Sequence, residues 1–260
     1  DLVAEFTAVF PFLVLGDRLG LPDDRADEFM DWAVDILGYP VDAQAGLAAA
    51  RELTQYSEPV LARRRARPVD DLLSSMCTSR RDGRGLDDEE VMSHLRAIFS
   101  AGATTSYHGL GNTLFALLTH PALMQRLRAE PELVERAVDE MLRWEPPLAL
   151  LPRLVPKDTT IAGQEVAAGT MLLFGIASAN RDPAVHHDPD SFDIDRDTSR
   201  LLTFGFGSHH CPGSHLARAQ IAVAVRRLLD RLPGLRLADE QAALPSGTVM
   251  RGPMALPALW

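Results

Sequence analysis

Apolar residues recur at three- and four-residue spacing along most of the chain, and the breaks between these runs are marked by proline, glycine and charge. "LPDDRADEFMDWAVDIL" opens on a proline and acidic residues, then sets Phe29, Trp32, Ala33, Ile36 and Leu37 at helical spacing. "GYP" ends that helix. "AGLAAARELTQYSEPVLARRRAR" predicts a second long helix that stops before Pro68. "VDDLLSSMCT" predicts a short amphipathic one, with Cys77 among Leu72, Leu73 and Met76 as a core thiol. After the polar loop "SRRDGRG", the stretch "LDDEEVMSHLRAIFSAGATTSYHGLGNTLFALLTHP" reads as one very long helix ending at Pro121. Its centre is apolar almost all round, the pattern of a helix threading the middle of a protein.

"PALMQRLRAE" and "PELVERAVDEMLRWE" predict two more helices, the second stopped by Pro146 and Pro147. The period then changes. "TTIAGQEV" and "GTMLLFGI" are β-rich pieces split by turn residues. "ANRDPAVHHDPDSFDIDRD", interrupted by Pro183 and Pro189, predicts irregular backbone. "GSHLARAQIAVAVRRLLDRL" predicts a strong last helix, and the tail "GTVMRGPMALPALW" is extended. The fold class is mainly α with small β-regions. No linker or repeat interrupts the chain, so residues 1–260 are expected to form a single domain.

Composition narrows the function more than the fold. A chain of 260 residues, 46% apolar and 24% charged, has the make-up of an ordinary globular protein. A core of that size needs no covalent staples. The net charge of −10 argues against a general nucleic-acid binder. The densest basic run, Arg63–Arg67, is expected to be a solvated last helical turn, where cations suit the helix dipole. Two cysteines make no disulfide framework and fit a reducing cytoplasm. No apolar run reaches the roughly 18 residues of a membrane span, and no signal peptide is visible. The expected partners therefore include neither nucleic acid nor membrane.

One stretch is chemically conspicuous. "LLTFGFGSHHCPGSHLARAQ" places Cys211 at the start of a helix, where free N–H groups and the dipole favour a thiolate. Pro212 is expected in the first helical turn. Gly205, Gly207 and Gly213 let the backbone curl so that amides point at the sulfur. A thiolate held this way can ligate a metal. "HHCPGSH" also offers His209, His210, Cys211 and His215 as a zinc-compatible set, the reading of a structural Cys/His zinc protein.

"FGFGSHHCPG" resembles the heme-binding loop of the cytochrome P450 family, with Phe204, Gly205, Gly207, a basic residue, Cys211 and Gly213 at the family spacing. The resemblance implies a heme b group with Cys211 as the axial ligand of its iron, and His209 reaching a propionate. Glu140 and Arg143 in "EMLR" lie three apart on one helical face. In the family such a pair locks onto a later arginine, here Arg196 of "FDIDR", as an architectural network. "SAGATTS" is similar to the family's distal-face pattern. There Ala101 and Gly102 leave room for dioxygen, and Thr105 helps to deliver protons.

The chain departs from the family at Thr104, where relatives most often carry an acid. A carboxylate is the better proton relay, so slower or less well coupled oxygen activation is expected, or a peroxide-driven reaction. By the same resemblance Arg153 pairs with the other propionate. Ile98, Ala101, Leu148, Leu150, Leu151, Thr248 and Val249 fall where relatives line an apolar substrate pocket.

Of the other histidines, His120, His186 and His187 are expected to face solvent. His210 and His215 match no family ligand position, and His108 lies one turn beyond Thr105 with a pocket role open to it. The implied activity is that of a bacterial-type monooxygenase that inserts one atom of dioxygen into an apolar small molecule. Electrons would come from a ferredoxin and its reductase, because the chain has no flavin or nicotinamide fingerprint. A non-catalytic heme-binding relative is the alternative within the family. Relatives also carry a further N-terminal stretch, so these residues are expected to be a fragment, with a naturally truncated protein as the alternative.

Overall fold

The computed structural model describes residues 1–260 as mainly helical, with four separate two-stranded sheets. Its contacts fall into two compact units, Asp1–Tyr107 and His108–Trp260.

The first unit opens on a π-turn, Val3–Thr7, and helix α1 (Phe10–Leu19). The hydrophobic pattern does not reveal α1. Its run "FPFLVLGDRL" is nearly continuous in apolar residues, and periodicity does not separate helix from strand in such a run. Helices α2 (Phe29–Leu37), α3 (Ala43–Ala66) and α4 (Leu72–Thr78) follow. Asp42 caps α3 by accepting from the backbone N–H groups of Gln44 and Ala45, both at 3.0 Å. Phe29, fully buried, sits edge-on to Phe99 with ring centroids 5.3 Å apart and lies 5.9 Å from Trp32. A Cβ at Gly16 would come within 2.8 Å of the Phe29 ring, so α1 approaches that ring because it has no side chain there.

Two expectations need correction here. The Arg63–Arg67 run is not simply solvated. Arg64 pairs with Asp71, and Arg65 donates to the Cys77 and Leu86 carbonyls at 2.8 and 2.7 Å and to Asp88 at 3.0 Å. The last turn of α3 faces neighbouring backbone, so these guanidinium groups satisfy carbonyls that would otherwise lack donors. "SRRDGRG" is not a bare loop either. It forms a hairpin of β1 (Arg80–Arg81) and β2 (Arg84–Gly85). Asp82 and Gly83 at φ 53° and 80° supply the left-handed pair such a turn requires. Cys77 is buried in the core as expected.

Helix α5 (Asp88–Leu118) is unbroken over 31 residues, and the unit boundary falls within it. In the first unit, Ala97 and Ala101 are exposed and Thr105 half-buried along one side, whereas Ser100, Ala103 and Thr104 are buried. Residues 109–118 are buried throughout, in line with their all-round apolar pattern.

The second unit continues with α6 (Pro121–Ala129) and α7 (Val134–Trp144), then β3 (Leu150–Leu154), β4 (Thr159–Ile161), β5 (Gln164–Val166) and β6 (Met171–Gly175). β3 pairs antiparallel with β6, Leu150 opposite Gly175 and Leu154 opposite Met171, and β4 pairs with β5. After the short α8 (Ile176–Ala179), irregular backbone runs as predicted to α9 (Ser214–Arg231), and β7 (Arg236–Leu237) pairs with β8 (Ala258–Leu259). α9 packs on α7, fastened by Arg218 to Asp139 at 2.6 Å and by Arg226 to Glu135.

His187 is exposed, but His186 is 3% exposed and His120 is half-buried against Phe192 and Trp144. The expectation of solvent-facing rings therefore fails at both positions. The irregular segment wraps around arginine side chains instead of standing in water, and that encloses His186.

Candidate functional site

The centre of the second unit is a buried charged network. Glu140 and Arg143, on adjacent turns of α7, are both 0% exposed. Arg143 donates from Nε and Nη2 to the two Glu140 carboxylate oxygens at 2.7 and 2.8 Å. Its remaining donors reach the carbonyls of Asn180, Pro189 and Ser191 at 3.0, 2.8 and 3.1 Å. Glu140 Oε1 also accepts from the Asp193 backbone N–H at 2.9 Å and from Arg196 Nε at 3.2 Å. Helical spacing places the first two residues together; only the fold brings Arg196, 53 residues beyond Arg143, onto the same carboxylate. The fork geometry of two guanidinium groups on one carboxylate is the charge-assisted arrangement that offsets burial of the charges.

This network reaches the cysteine loop through Asn180, a buried residue that the sequence reading missed. Its carbonyl accepts from Arg143. Its side-chain Oδ1 accepts from the Leu202 backbone N–H at 2.7 Å, and its Nδ2 donates to Thr203 Oγ1 at 2.8 Å. Thr203 Oγ1 donates in turn to the Leu142 carbonyl at 2.5 Å. Asn180 thus fixes the two residues from which the loop departs. The available signal was the asparagine ahead of the charged turn in "ANRD", and nothing local marks it.

From Thr203 the chain curls around Cys211. Gly205 and Gly207 adopt φ 72° and 71°, a region that disfavours any residue with a Cβ. The Cys211 backbone N–H donates to the Phe204 carbonyl at 2.8 Å, and the Gly205 N–H to the Leu202 carbonyl at 2.8 Å. The amide-to-sulfur bonds expected from the sequence are not among the bonds that hold this turn, which end on carbonyls. Arg218 of α9 stacks over the Phe204 ring at 4.4 Å. Cys211 is half-buried and lies three residues ahead of α9. Pro212 lies in the turn before Gly213, the cap of α9, and not in the first helical turn as predicted. No group of three or more Cys, His or acidic side chains converges on a metal-sized site, so His209, His210, Cys211 and His215 do not form a zinc centre.

A cavity of about 570 Å³ lies in this unit, lined by apolar side chains including Leu151, Leu172, Phe174 and Leu202. Arg153 from β3 and His209 from the cysteine loop both line it, as do Gly205 and Phe206. An arginine and a histidine, N–H donors from separate segments at the edge of an apolar hollow, suit a flat hydrophobic group carrying carboxylates. That is the chemistry of heme b, and the residues present fit it. Lys157, the only lysine in the chain, lines the same cavity and was not anticipated.

In the first unit, Thr105 Oγ1 donates to the Ala101 carbonyl at 2.7 Å, the back-bond to the preceding turn expected from its position. Ile98 and Gly102 are half-buried, and a Cβ at Gly102 would meet Leu15 at 3.0 Å. Thr104 faces the other way. It is 4% exposed, and its hydroxyl has no hydrogen-bond partner. Burial lowers the pKa of His108, at the start of the second unit, to about 4, so its ring is neutral. Of the proposed pocket residues, Leu148, Leu150 and Leu151 are half-buried and Val249 is exposed. The Ala149 N–H donates to the Val249 carbonyl at 2.8 Å, which fastens the tail beside them.

A helical scaffold that carries a cysteine on a glycine-rich turn, braced by a buried Glu–Arg–Arg network, defines the class of heme-thiolate monooxygenases. The comparisons agree: the cytochrome P450 family model matches residues 48–233, and the chain belongs to the cytochrome P450 family. It is 35% identical to a mycinamicin IV hydroxylase/epoxidase of Micromonospora griseorubida, over 100% of this chain and 67% of that protein. It is 36% identical to a vitamin D(3) 25-hydroxylase of Pseudonocardia autotrophica, over 99% of this chain and 64% of the relative. The solved P450 PksS of Bacillus subtilis superposes with a TM-score of 0.91 at 31% identity, covering 99% of this chain and 68% of that one. The chain thus spans about two thirds of the length of the proteins it matches. The family's cofactor is heme b, and no helix here is long and apolar enough to cross a membrane.

Proposed function

We propose that the protein to which these residues belong is a monooxygenase that oxidises an apolar small molecule in the cytoplasm, with electrons from a ferredoxin and its reductase. On this reading the 260 residues are part of one catalytic domain. The observation that carries it is the path of hydrogen bonds from Glu140 through Arg143, Asn180 and Thr203 to the loop of Cys211. Buried bonds that end on Leu202 and Thr203, where the loop departs, support a fixed placement of that loop.

Cys211 would ligate the heme iron, and Arg153 and His209 would hold its propionates. Bound there, heme supplies the iron centre at which dioxygen is reduced and one oxygen atom passes to the substrate. The chain's own residues do the rest. Ala101 and Gly102 keep side-chain bulk away from the middle of α5, and Thr105 holds a hydroxyl there for proton transfer. Leu148, Leu150, Leu151 and Val249 offer apolar surface to the substrate, and the family resemblance adds Ile98. The relatives named for oxidation of mycinamicin IV and vitamin D(3) support a hydrophobic substrate.

Thr104 departs from the expected acid, and its buried hydroxyl, without a protein hydrogen-bond partner, is a poorer proton relay than a carboxylate. Proton delivery therefore rests on Thr105, and coupling of electrons to product is low.

The test is the carbon monoxide difference spectrum of the reduced full-length protein. A red-shifted Soret band, abolished in Cys211→Ser, is the expected result. A parent protein that binds heme without that band overturns the reading in favour of a non-thiolate role.

A further inference from the structure

Asn112, in the buried part of α5, is fully buried, and its side chain joins two segments far apart in sequence. Nδ2 donates to the Glu145 carbonyl at 2.9 Å and to the Arg251 carbonyl at 3.0 Å. Both acceptors are carbonyls, so the amide must present its NH2 to them, which fixes its orientation. Its Oδ1 is buried without a partner. An orphaned acceptor in the interior costs about 1–3 kcal/mol, so the residue makes sense for what its donors hold.

They hold the proposed substrate pocket. Glu145 ends α7 and leads through Pro147 into Leu148, Leu150 and Leu151. Arg251 closes the tail turn that carries Val249. The same segments are stitched by Arg251 N–H to the Pro147 carbonyl at 2.9 Å, by a Leu148–Met250 bridge, and by Arg251 to Glu145. The turn itself is rigid. Gly247 sits at φ 107°, and a Cβ there would lie 2.1 Å from the Met250 carbonyl oxygen. Two segments with no covalent link between them need an internal fixed point if their spacing is to be reproducible, and Asn112 is the side chain bonded to both.

We propose that Asn112 is a positioning residue that sets the spacing of the two pocket-lining segments, Glu145–Leu151 and Ser246–Gly252, and so the affinity for bulky ligands. The clamp stands on the hydrogen bonds alone; its effect on ligands rests on the functional reading above.

The experiment uses the full-length holoprotein and the variants Asn112→Leu, which keeps the volume and removes the donors, and Asn112→Asp, which turns an acceptor toward both carbonyls. Amide hydrogen exchange at Ala149, Arg251 and Ser246 is expected to rise about tenfold, the equivalent of one hydrogen bond. The β3–β6 ladder, which Asn112 does not touch, is expected to stay unchanged. Clotrimazole, a bulky azole, is expected to bind about tenfold more weakly by its spectral shift, with imidazole within about twofold, again the value of one bond. Should Asn112→Leu not fold, Asn112→Ser carries the same test. Unchanged exchange at Ala149 and Arg251 overturns the clamp. Raised exchange with clotrimazole and imidazole weakened alike, or neither weakened, overturns its role in ligand affinity. A parent protein that shows no azole spectrum counts against the heme reading, while the exchange result still decides the clamp.

Discussion

Replacing Arg143 with lysine separates charge from geometry in the buried network. The variant keeps one positive charge opposite Glu140, yet an ammonium has three donors where Arg143 makes five hydrogen bonds from a planar fork. Glu140 Oε1 and the Ser191 carbonyl keep other donors, but a shorter ammonium held at the carboxylate leaves the Asn180 and Pro189 carbonyls, both served by Nη1 at the far side of the fork, without a partner. At about 1–3 kcal/mol for each buried group left unsatisfied, the expected loss is about 2–6 kcal/mol. Urea unfolding followed by circular dichroism measures it. Arg126→Lys is the control, because its pair with Asp195 at 2.7 Å is half exposed to water. Such a pair is worth about 1 kcal/mol or less. If Arg143→Lys costs no more than Arg126→Lys, the buried network is not a scaffold and does not hold the cysteine loop in place.

Asn180→Leu is expected to fold with Glu140 and Arg143 still paired, but to release Leu202 and Thr203; equilibrium heme transfer to apomyoglobin should show affinity reduced by tenfold or more, as for two lost bonds of about 1 kcal/mol each, and unchanged transfer refutes it. The pH dependence follows from the buried histidines. His108 resists protonation when folded, with its pKa lowered to about 4, whereas the unfolded chain takes up that proton near pH 6.5. Its contribution is therefore complete above pH 6.5 and is lost as pH falls toward 4, by about 3 kcal/mol in all, since each unit is about 1.36 kcal/mol. Burial, and then the charges of Arg143 and Arg196, lower the pKa of His186 too, and its contribution has the same sign. Urea midpoints measured from pH 7.5 to 5 should fall in the parent protein and fall less in His108→Gln; equal slopes refute the assignment. Thr104→Asp is expected to raise product formed per electron consumed and to lower peroxide release, measured by reductant and peroxide assays. Unchanged coupling would show that this position does not limit proton delivery.

The sequence by itself determined whatever depends on neighbours in the chain. The Glu140–Arg143 spacing, the glycines at 205 and 207, the proline that ends each long helix and the threonine one turn beyond Ala101 all act within a turn or two. Their residue types carry the reason: a helix repeats every 3.6 residues, and a positive φ favours glycine. The same locality explains the misses. Arg64 and Arg65 read as a solvated run, and His186 as a loop histidine, because burial belongs to whatever segment folds over a residue.

Only the tertiary structure decided that Arg196 shares the Glu140 carboxylate, that Asn180 carries the network to the cysteine loop, and that Asn112 joins two segments 106 residues apart. It also placed Arg153 and His209 on one cavity. Those partners are chosen by which carbonyls and carboxylates the packed backbone leaves unsatisfied. That accounting closes only when the whole chain is in place.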